Sequence, residues 1–159
     1  MARIEALELI EKLSSASLSI VLAESCTAGL AADLIVQIPG ASRVFWGSFV
    51  CYSIDAKQRM LGVDNGLILR YGVVSRETAC AMAEGALARS GADLAAGVTG
   101  FAGPDGDGSL PVGTVWIGIA NRGGKSRGSV FHYTGSRNEV RLAAALDTLR
   151  ELTRNIHED

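Results

Sequence analysis

The sequence predicts an α/β protein, a three-layer α/β/α sandwich built around a mixed, mostly parallel sheet. Two observations lead to this fold class. Short apolar segments rich in β-branched residues alternate with segments of helical periodicity, which is the pattern of parallel strands joined by helices. Two later strands are separated by only a short turn, which predicts one antiparallel hairpin within the sheet. The 159 residues are enough for one core, so we take 1–159 as a single domain.

The first half of the chain contains five predicted elements. Apolar residues at helical spacing open the chain, and a short buried run follows them. Pro39 stops the next helical segment because proline cannot continue the backbone hydrogen bonds, and Ser53 is a good N-cap for the helix after it. These signals predict a helix at 5–13, a strand at 18–23, a helix at 28–37, a strand at 44–53 and a helix at 54–61.

The second half repeats the alternation and adds the hairpin. Ser75 is a predicted N-cap for a long alanine-rich helix. Ser136 and Glu139 have the spacing of a capping box, which marks the start of the last helix. The predicted elements are a helix at 76–89, a strand at 93–100, strands at 113–120 and 129–134 joined by the turn 121–125, and a helix at 137–155.

Composition excludes several classes of function. The formal net charge of −2, with lysines and arginines scattered along the chain, gives no basic surface for nucleic acid. No apolar run approaches the roughly 18–20 residues that a membrane span needs, and the N-terminus lacks the apolar centre of a signal peptide. Three cysteines, an odd number without CxxC spacing, argue against disulfides or a zinc site and favour a reducing cytoplasm. We therefore expect a cytoplasmic protein without a metal or cofactor.

Two candidate ligand-binding loops directly follow predicted strands. They are ESCTAG at 24–29 and TGFAGPDGDG at 99–108. Ligands of open α/β sheets bind outside the carboxyl ends of strands, where both loops are expected to lie. Glycines let backbone N–H groups approach an anion, but 99–108 matches neither a Walker A loop nor a dinucleotide-binding loop. On composition alone this loop is either a ligand loop or a mobile turn.

The residues Ser25, Cys26 and Thr27 allow two interpretations. Serine and threonine are common helix N-caps, and a helix is predicted to begin at this point. Alternatively Ser25 or Cys26 is a nucleophile, which requires a base to remove its proton. The two histidines are poorly placed for that role, because His132 lies within a strand and His157 lies at the end of the chain.

Lys57 is the other candidate base. It lies in the first turn of a predicted helix, where the positive end of the helix dipole would lower the pKa of the amine. The alternative is a solvated surface lysine paired with an acidic neighbour such as Asp55. Tyr52, at the predicted end of the preceding strand, is close enough in sequence to share the site or is simply a half-buried aromatic residue.

Several motifs together resemble one known family. They are AESCTAGLAA, GSFVCYSIDAK, GVVS, TGFAGPDG and PVGTVWIGIA, in this order and spacing. The chain resembles the CinA C-terminal domain family over about residues 5–155, in its stand-alone form. The family's best-known activity is that of a nicotinamide-nucleotide amidase, also called nicotinamide mononucleotide deamidase. The resemblance therefore implies hydrolysis of nicotinamide mononucleotide to nicotinate mononucleotide and ammonia, a step of NAD salvage.

The resemblance also implies roles for particular residues. The family's nucleophilic serine falls on Ser25, its general-base lysine on Lys57, and two further site residues on Tyr52 and Thr99. An arginine that could bind the substrate phosphate falls on Arg137, with Arg141 one turn away as the alternative. Around these residues we expect substrate contacts from the backbone of Cys26 and Thr27, whose turn would stabilise an oxyanion, and from the glycine loop through Gly100 and Gly103.

Other functions remain open at this point. The chain could be a non-catalytic nucleotide-binding or competence/damage-related accessory domain, or a purely structural partner domain. A cysteine amidase that uses Cys26 is a further variant, and another carboxamide could replace nicotinamide mononucleotide. We expect a small-molecule substrate as the ligand and a homodimer as the assembly, since an apolar chain with long helices could bury one face against a copy of itself.

Overall fold

A computed structural model describes residues 1–156 of the chain. The strands are β1 (Ile20–Glu24), β2 (Phe45–Val50), β3 (Leu94–Gly100), β4 (Thr114–Asn121) and β5 (Arg127–His132). The helices are α1 (Ala2–Ala16), α2 (Leu30–Val36), α3 (Ile54–Leu61), α4 (Asn65–Tyr71), α5 (Arg76–Ser90) and α6 (Arg137–Arg154), with one 3₁₀ turn at Ala41–Arg43.

The strands form a single five-stranded sheet in the order β2-β1-β3-β4-β5. β1 pairs in parallel with β2 and with β3, whereas β4 runs antiparallel to both β3 and β5. Four of the five strands therefore point the same way, which confirms the mixed, mostly parallel sheet and the predicted hairpin. As a result, the carboxyl ends of β1, β2, β3 and β5 lie at one edge of the sheet.

Helices cover both faces of the sheet and complete the predicted three layers. α1, α2 and α6 pack on one face, and α3, α4 and α5 lie on the other. The interior strand β1 is fully buried, with Ile20 and Leu22 in the first core and Val21 and Ala23 in the second, because successive side chains of a strand face opposite sides. Gly97 lets α5 approach the sheet closely, since a Cβ there would lie 2.3 Å from the Ala79 carbonyl oxygen.

The structure adds one helix to the predicted elements and moves several of their boundaries. Helix α4 was not predicted, since its seven residues include Gly66 and are too short to show a periodicity. The strand predicted at 44–53 ends at Val50, because the chain then turns the carbonyl oxygens of Cys51 and Tyr52 towards Lys57. The helix predicted at 28–37 begins only at Leu30, after a tight turn that the next section describes.

The helices can also be compared with what a membrane span requires in length and hydropathy. Within residues 1–156, none of the helices combines the length with the apolar character that crossing a bilayer would require.

Candidate active site

A cleft of about 250 Å³ lies at the edge of the sheet where the parallel strands end. β1 leads into its floor, α3 follows β2 on one side, and β3 ends on the other. Seven of the nine predicted site residues line it: Ser25, Cys26, Tyr52, Lys57, Thr99, Gly100 and Arg137. Thr27 and Gly103 do not line the cleft, although both lie beside residues that do.

The amine of Lys57 reaches the hydroxyl of Ser25. Lys57 Nζ lies 2.8 Å from Ser25 Oγ, although 32 residues separate the two in sequence. The same nitrogen donates to the carbonyl oxygens of Cys51 at 2.8 Å and Tyr52 at 3.2 Å. The turn after β2 thus holds the amine in place from one side and Ser25 meets it from the other.

Lys57 is a buried amine rather than a surface one. Its side chain is only 1% exposed, and Asp55, the expected surface partner, pairs instead with Arg59. Burial disfavours the charged amine and lowers the pKa of Lys57 to about 8. The surface interpretation is therefore wrong, and burial, not the helix dipole, is the main cause of the lowered pKa.

The three partners of Lys57 fit both protonation states of the amine. A neutral amine has two N–H donors and one lone pair, whereas an ammonium has three donors and no acceptor. The protonated amine donates to Ser25 Oγ and to the carbonyl oxygens of Cys51 and Tyr52. Once the amine is neutral, the two carbonyl oxygens can take both of its donors, which leaves the lone pair for the hydrogen of the Ser25 hydroxyl. This is the arrangement that a general base requires before proton transfer.

Neither Ser25 nor Thr27 caps helix α2. The N-cap is Gly29, in the left-handed conformation, and no side chain caps the helix from that position. The N–H groups of the turn and the helix start donate instead to the buried carboxylate of Glu24. It accepts from the backbone nitrogens of Gly29, Ala31 and Ala32 at 2.9–3.1 Å. Glu24 also accepts from Ser48 Oγ at 2.9 Å, so this carboxylate holds the turn between β1 and α2 together.

The thiol of Cys26 is less suited to act as the nucleophile. Burial raises the pKa of Cys26 to about 11, so the reactive thiolate is scarce near neutral pH. Among the hydrogen bonds of residues 1–156, the backbone N–H groups of Cys26 and Thr27 have no acceptor, whereas that of Ala28 donates to the Ser25 carbonyl. The two N–H groups predicted for an oxyanion, those of Cys26 and Thr27, therefore have no acceptor among the described residues.

Arg137 and Tyr52 meet across the mouth of the cleft. Arg137 Nη2 donates to the Tyr52 hydroxyl at 2.8 Å, and Nη1 donates to the Gly103 carbonyl. Further N–H groups of the guanidinium remain for a ligand, since the group has five donors. Arg141 faces another way and binds the carbonyl oxygens of Cys26 and Thr27, so Arg137 is the arginine in the cleft.

The residues of β3 and the following loop have structural partners of their own. Thr99 is buried and its hydroxyl donates to the Val73 carbonyl at 2.8 Å; within the described chain it makes no hydrogen bond to Lys57. Gly100 is required by packing, since a Cβ there would lie 2.5 Å from a methyl carbon of Val115. The glycine at this position therefore does not by itself indicate a ligand.

Some residues of the cleft were missed in the sequence. Val73, Val74, Phe101, Ala102 and Asp105 complete its lining. The GVVS and GFAGPD segments carried a family signal, but no local pattern marked these residues individually. His132 is not among the cleft residues, and His157 lies outside the described residues.

Two further features of residues 1–156 do not change this assignment. No cluster of three or more histidine, cysteine or acidic side chains in that range could hold a metal ion. A larger cavity of about 690 Å³ runs beside α5 and the β4–β5 turn, but it contains none of the predicted site residues. The buried amine and the Ser25 hydroxyl therefore meet in the smaller cleft and not in this cavity.

Comparison with known proteins gives the family of the chain. The sequence model of the CinA C-terminal domain matches residues 4–156. The chain belongs to the CinA C-terminal domain family. Among curated relatives, a CinA-like protein of Geobacter metallireducens is 45% identical over 140 residues, which are 87% of this chain and 34% of that protein. A putative competence-damage inducible protein of Lacticaseibacillus casei is 43% identical, with the same coverage of each chain.

Solved structures of the CinA superfamily share the fold over nearly their whole length. The competence/damage inducible protein CihA of Agrobacterium tumefaciens superposes with a TM-score of 0.92 at 39% identity, covering 96% of this chain and 94% of that one. A competence or damage-inducible protein of Enterobacter asburiae gives 0.94 at 27% identity, with 99% of each chain covered. The curated relatives are longer, and this chain spans about a third of their length.

Proposed function

We propose that this CinA-family domain is an amidase that hydrolyses the carboxamide of nicotinamide mononucleotide, with Ser25 as nucleophile and Lys57 as general base. The observation that carries the proposal is the 2.8 Å contact between Lys57 Nζ and Ser25 Oγ, made by a buried amine whose pKa is lowered to about 8. A group with a pKa near the working pH transfers protons efficiently in both directions. The substrate is the one that the family resemblance implies.

The first half of the reaction forms an acyl-enzyme. Ser25 Oγ attacks the carboxamide carbon while its proton passes to Lys57 Nζ, and the carbonyl oxygen becomes an oxyanion. The backbone N–H groups of Cys26 and Thr27, which lack acceptors among the described residues, stabilise that charge. The C–N bond then breaks, and ammonia leaves with the proton that Lys57 held.

The second half regenerates the enzyme. Water attacks the acyl carbon, gives its proton to Lys57, and Ser25 leaves with that proton as nicotinate mononucleotide is released. In the first half, Tyr52 relays the proton to the departing ammonia; its hydroxyl accepts from Arg137 and so keeps its own hydrogen to donate. The Thr99 hydroxyl, whose hydrogen goes to Val73, retains lone pairs that can accept from the substrate NH₂.

The size and charge of the cleft favour a mononucleotide. Its volume of about 250 Å³ lies below the roughly 300–1,000 Å³ typical of small-molecule sites. Arg137 supplies a planar set of donors suited to a phosphate, and it is the arginine that lines the cleft. A dinucleotide would extend well beyond these walls, so its second nucleotide would gain no contacts inside the cleft.

Two alternative functions receive less support. A cysteine mechanism requires the Cys26 thiolate, which burial disfavours, and no contact joins Lys57 to that thiol among the described hydrogen bonds. A purely binding domain gives no reason to bury an amine against Ser25, because Ser25 does not cap α2. Moving an amine from water into a buried site costs stability even when it is hydrogen-bonded, so its presence here favours a catalytic use.

Ammonia release on four related compounds tests the proposal. The purified chain is assayed with nicotinamide mononucleotide, nicotinamide, its riboside and the intact dinucleotide, all at equal concentration. We expect the highest kcat/KM on the mononucleotide, because only that substrate has both the carboxamide and a terminal phosphate for Arg137. Thermal stabilisation by the mononucleotide without ammonia would instead show a binding domain, and no response of either kind would leave a structural one.

The pH dependence follows from the pKa of Lys57. The base must be neutral, and a pKa lowered to about 8 leaves most molecules protonated at pH 7. We therefore expect kcat/KM to rise by up to about tenfold per pH unit below 8 and to level off above it. Initial rates between pH 7 and 9.5 avoid the ionisation of the substrate phosphate near pH 6. A flat profile, or one that falls over this range, would contradict a lysine base.

A further inference from the structure

Arg141 joins the last helix to the turn that follows the nucleophile. Its Nε donates to the Cys26 carbonyl at 3.0 Å and its Nη2 to the Thr27 carbonyl at 2.9 Å, across 115 and 114 residues of sequence. Nη1 donates to Asn138 Oδ1 at 3.2 Å within α6. A single planar guanidinium thus grips two consecutive peptide units beside Ser25.

The turn that Arg141 holds is conformationally unusual. Ala28 has φ 48° and Gly29 has φ 93°, so two successive residues adopt left-handed geometry. For alanine this conformation costs about 1–2 kcal/mol, and it persists only where the surroundings impose it. Glu24 binds the N–H groups on the helix side of the turn, and Arg141 binds the carbonyl groups on its other side.

The carbonyls held by Arg141 belong to the same peptide units as two N–H groups. The C=O of Cys26 shares a planar trans peptide with the N–H of Thr27, so the two point in opposite directions. A charged donor on the carbonyl fixes the plane of that unit and polarises its N–H. The other available donor, the N–H of Cys26, has its own peptide carbonyl, that of Ser25, bonded by the Ala28 nitrogen.

We propose that Arg141 is a positioning residue for the oxyanion-binding turn, which aims and polarises the Thr27 N–H through the Cys26 carbonyl. The proposal rests on the proposed function, because it assigns that N–H to the tetrahedral intermediate at Ser25. Arg141 touches no reacting atom, and it acts through the backbone of Cys26 and Thr27. This role predicts that loss of Arg141 destabilises the transition state and has little effect on substrate binding.

Replacing Arg141 by alanine tests this role. Removing a direct oxyanion donor costs about 10²–10³ in kcat, so we expect R141A to lose about 10- to 100-fold in kcat with little change in KM. Guanidinium, added far below denaturing concentrations, should restore part of the lost kcat, whereas ammonium should not. R141K keeps the charge but cannot bind two carbonyls as one planar group, so its kcat should lie between those of R141A and the wild type. The matched control is R154A, an exposed arginine on the same helix.

A second readout separates this inference from the amidase proposal. A fluorophosphonate probe labels an activated serine: Ser25 Oγ bonds to phosphorus, fluoride leaves, and the proton passes to Lys57. If the wild-type protein is labelled at Ser25 but releases no ammonia, the proposed substrate is wrong, whereas the role of Arg141 is unaffected. Equal labelling rates in R141A and wild type would overturn that role, as would a kcat loss that guanidinium leaves unchanged. Should R141A fail to fold, R141K with wild-type labelling and turnover overturns it instead.

Discussion

Replacing Lys57 by methionine is expected to lower kcat on nicotinamide mononucleotide by about 10³-fold or more, since general-base catalysis contributes about 10²–10⁴. Methionine has nearly the length of lysine and suits the buried site, but it cannot accept the Ser25 proton. The carbonyl oxygens of Cys51 and Tyr52 lose a donor, which costs some stability. The measurement is kcat and KM for ammonia release, beside the thermal melting temperature.

The double variant makes this prediction sharper. Ser25→Ala alone should lose at least as much activity, and Ser25→Ala combined with Lys57→Met should lose no more than Ser25→Ala, because residues that act as one unit are not additive. Lys12→Met is the matched control, since Lys12 is half-exposed on α1 and pairs only with Glu8. Folded Lys57→Met protein that keeps wild-type turnover would contradict the dyad, and additive losses would mean that the two residues act independently.

The sequence predicted the layers of the fold because the signals there are local. Helical and strand periodicity, the Ser53, Ser75 and Ser136 caps, and the short turn at 121–125 each act within a few residues. All three serines accept the predicted backbone hydrogen bond, and the capping box at Ser136 and Glu139 is complete. Strand order depends on contacts far apart in sequence, and no local pattern encodes it.

The candidate site was predicted by a different route. No periodicity brings Ser25 next to Lys57; the family motifs paired them, and the sheet places them 2.8 Å apart. The burial of Lys57 could not be predicted locally, because its neighbours Asp55 and Arg59 are exposed and polar. The sequence suggests Arg141 only as a phosphate ligand, because the turn that it binds lies more than a hundred residues away. Long-range contacts of this kind emerge only with the fold.

Glu24 is the residue whose loss should most destabilise the chain. It ends the interior strand β1 in full burial, and four donors converge on its carboxylate: the backbone nitrogens of Gly29, Ala31 and Ala32 and the hydroxyl of Ser48. Glu24→Ala removes every one of these acceptors at once. We expect the free energy of unfolding to fall by about 3–5 kcal/mol, because several buried donors lose their acceptor and each unsatisfied group costs about 1–3 kcal/mol before the site relaxes. Urea denaturation measures it.

The glutamine variant shows whether the acceptor oxygens or merely the volume of the side chain matter. Glu24→Gln preserves the shape, but one oxygen becomes an NH₂ that faces donors, so its loss should lie between those of wild type and Glu24→Ala. Glu8→Ala, an exposed acid on α1, should stay within about 0.5 kcal/mol of wild type. Equal stability of Glu24→Ala and wild type would mean that water replaces the carboxylate. Because Ser25 directly follows Glu24, the loss of these bonds should also loosen the backbone that aims its hydroxyl at Lys57.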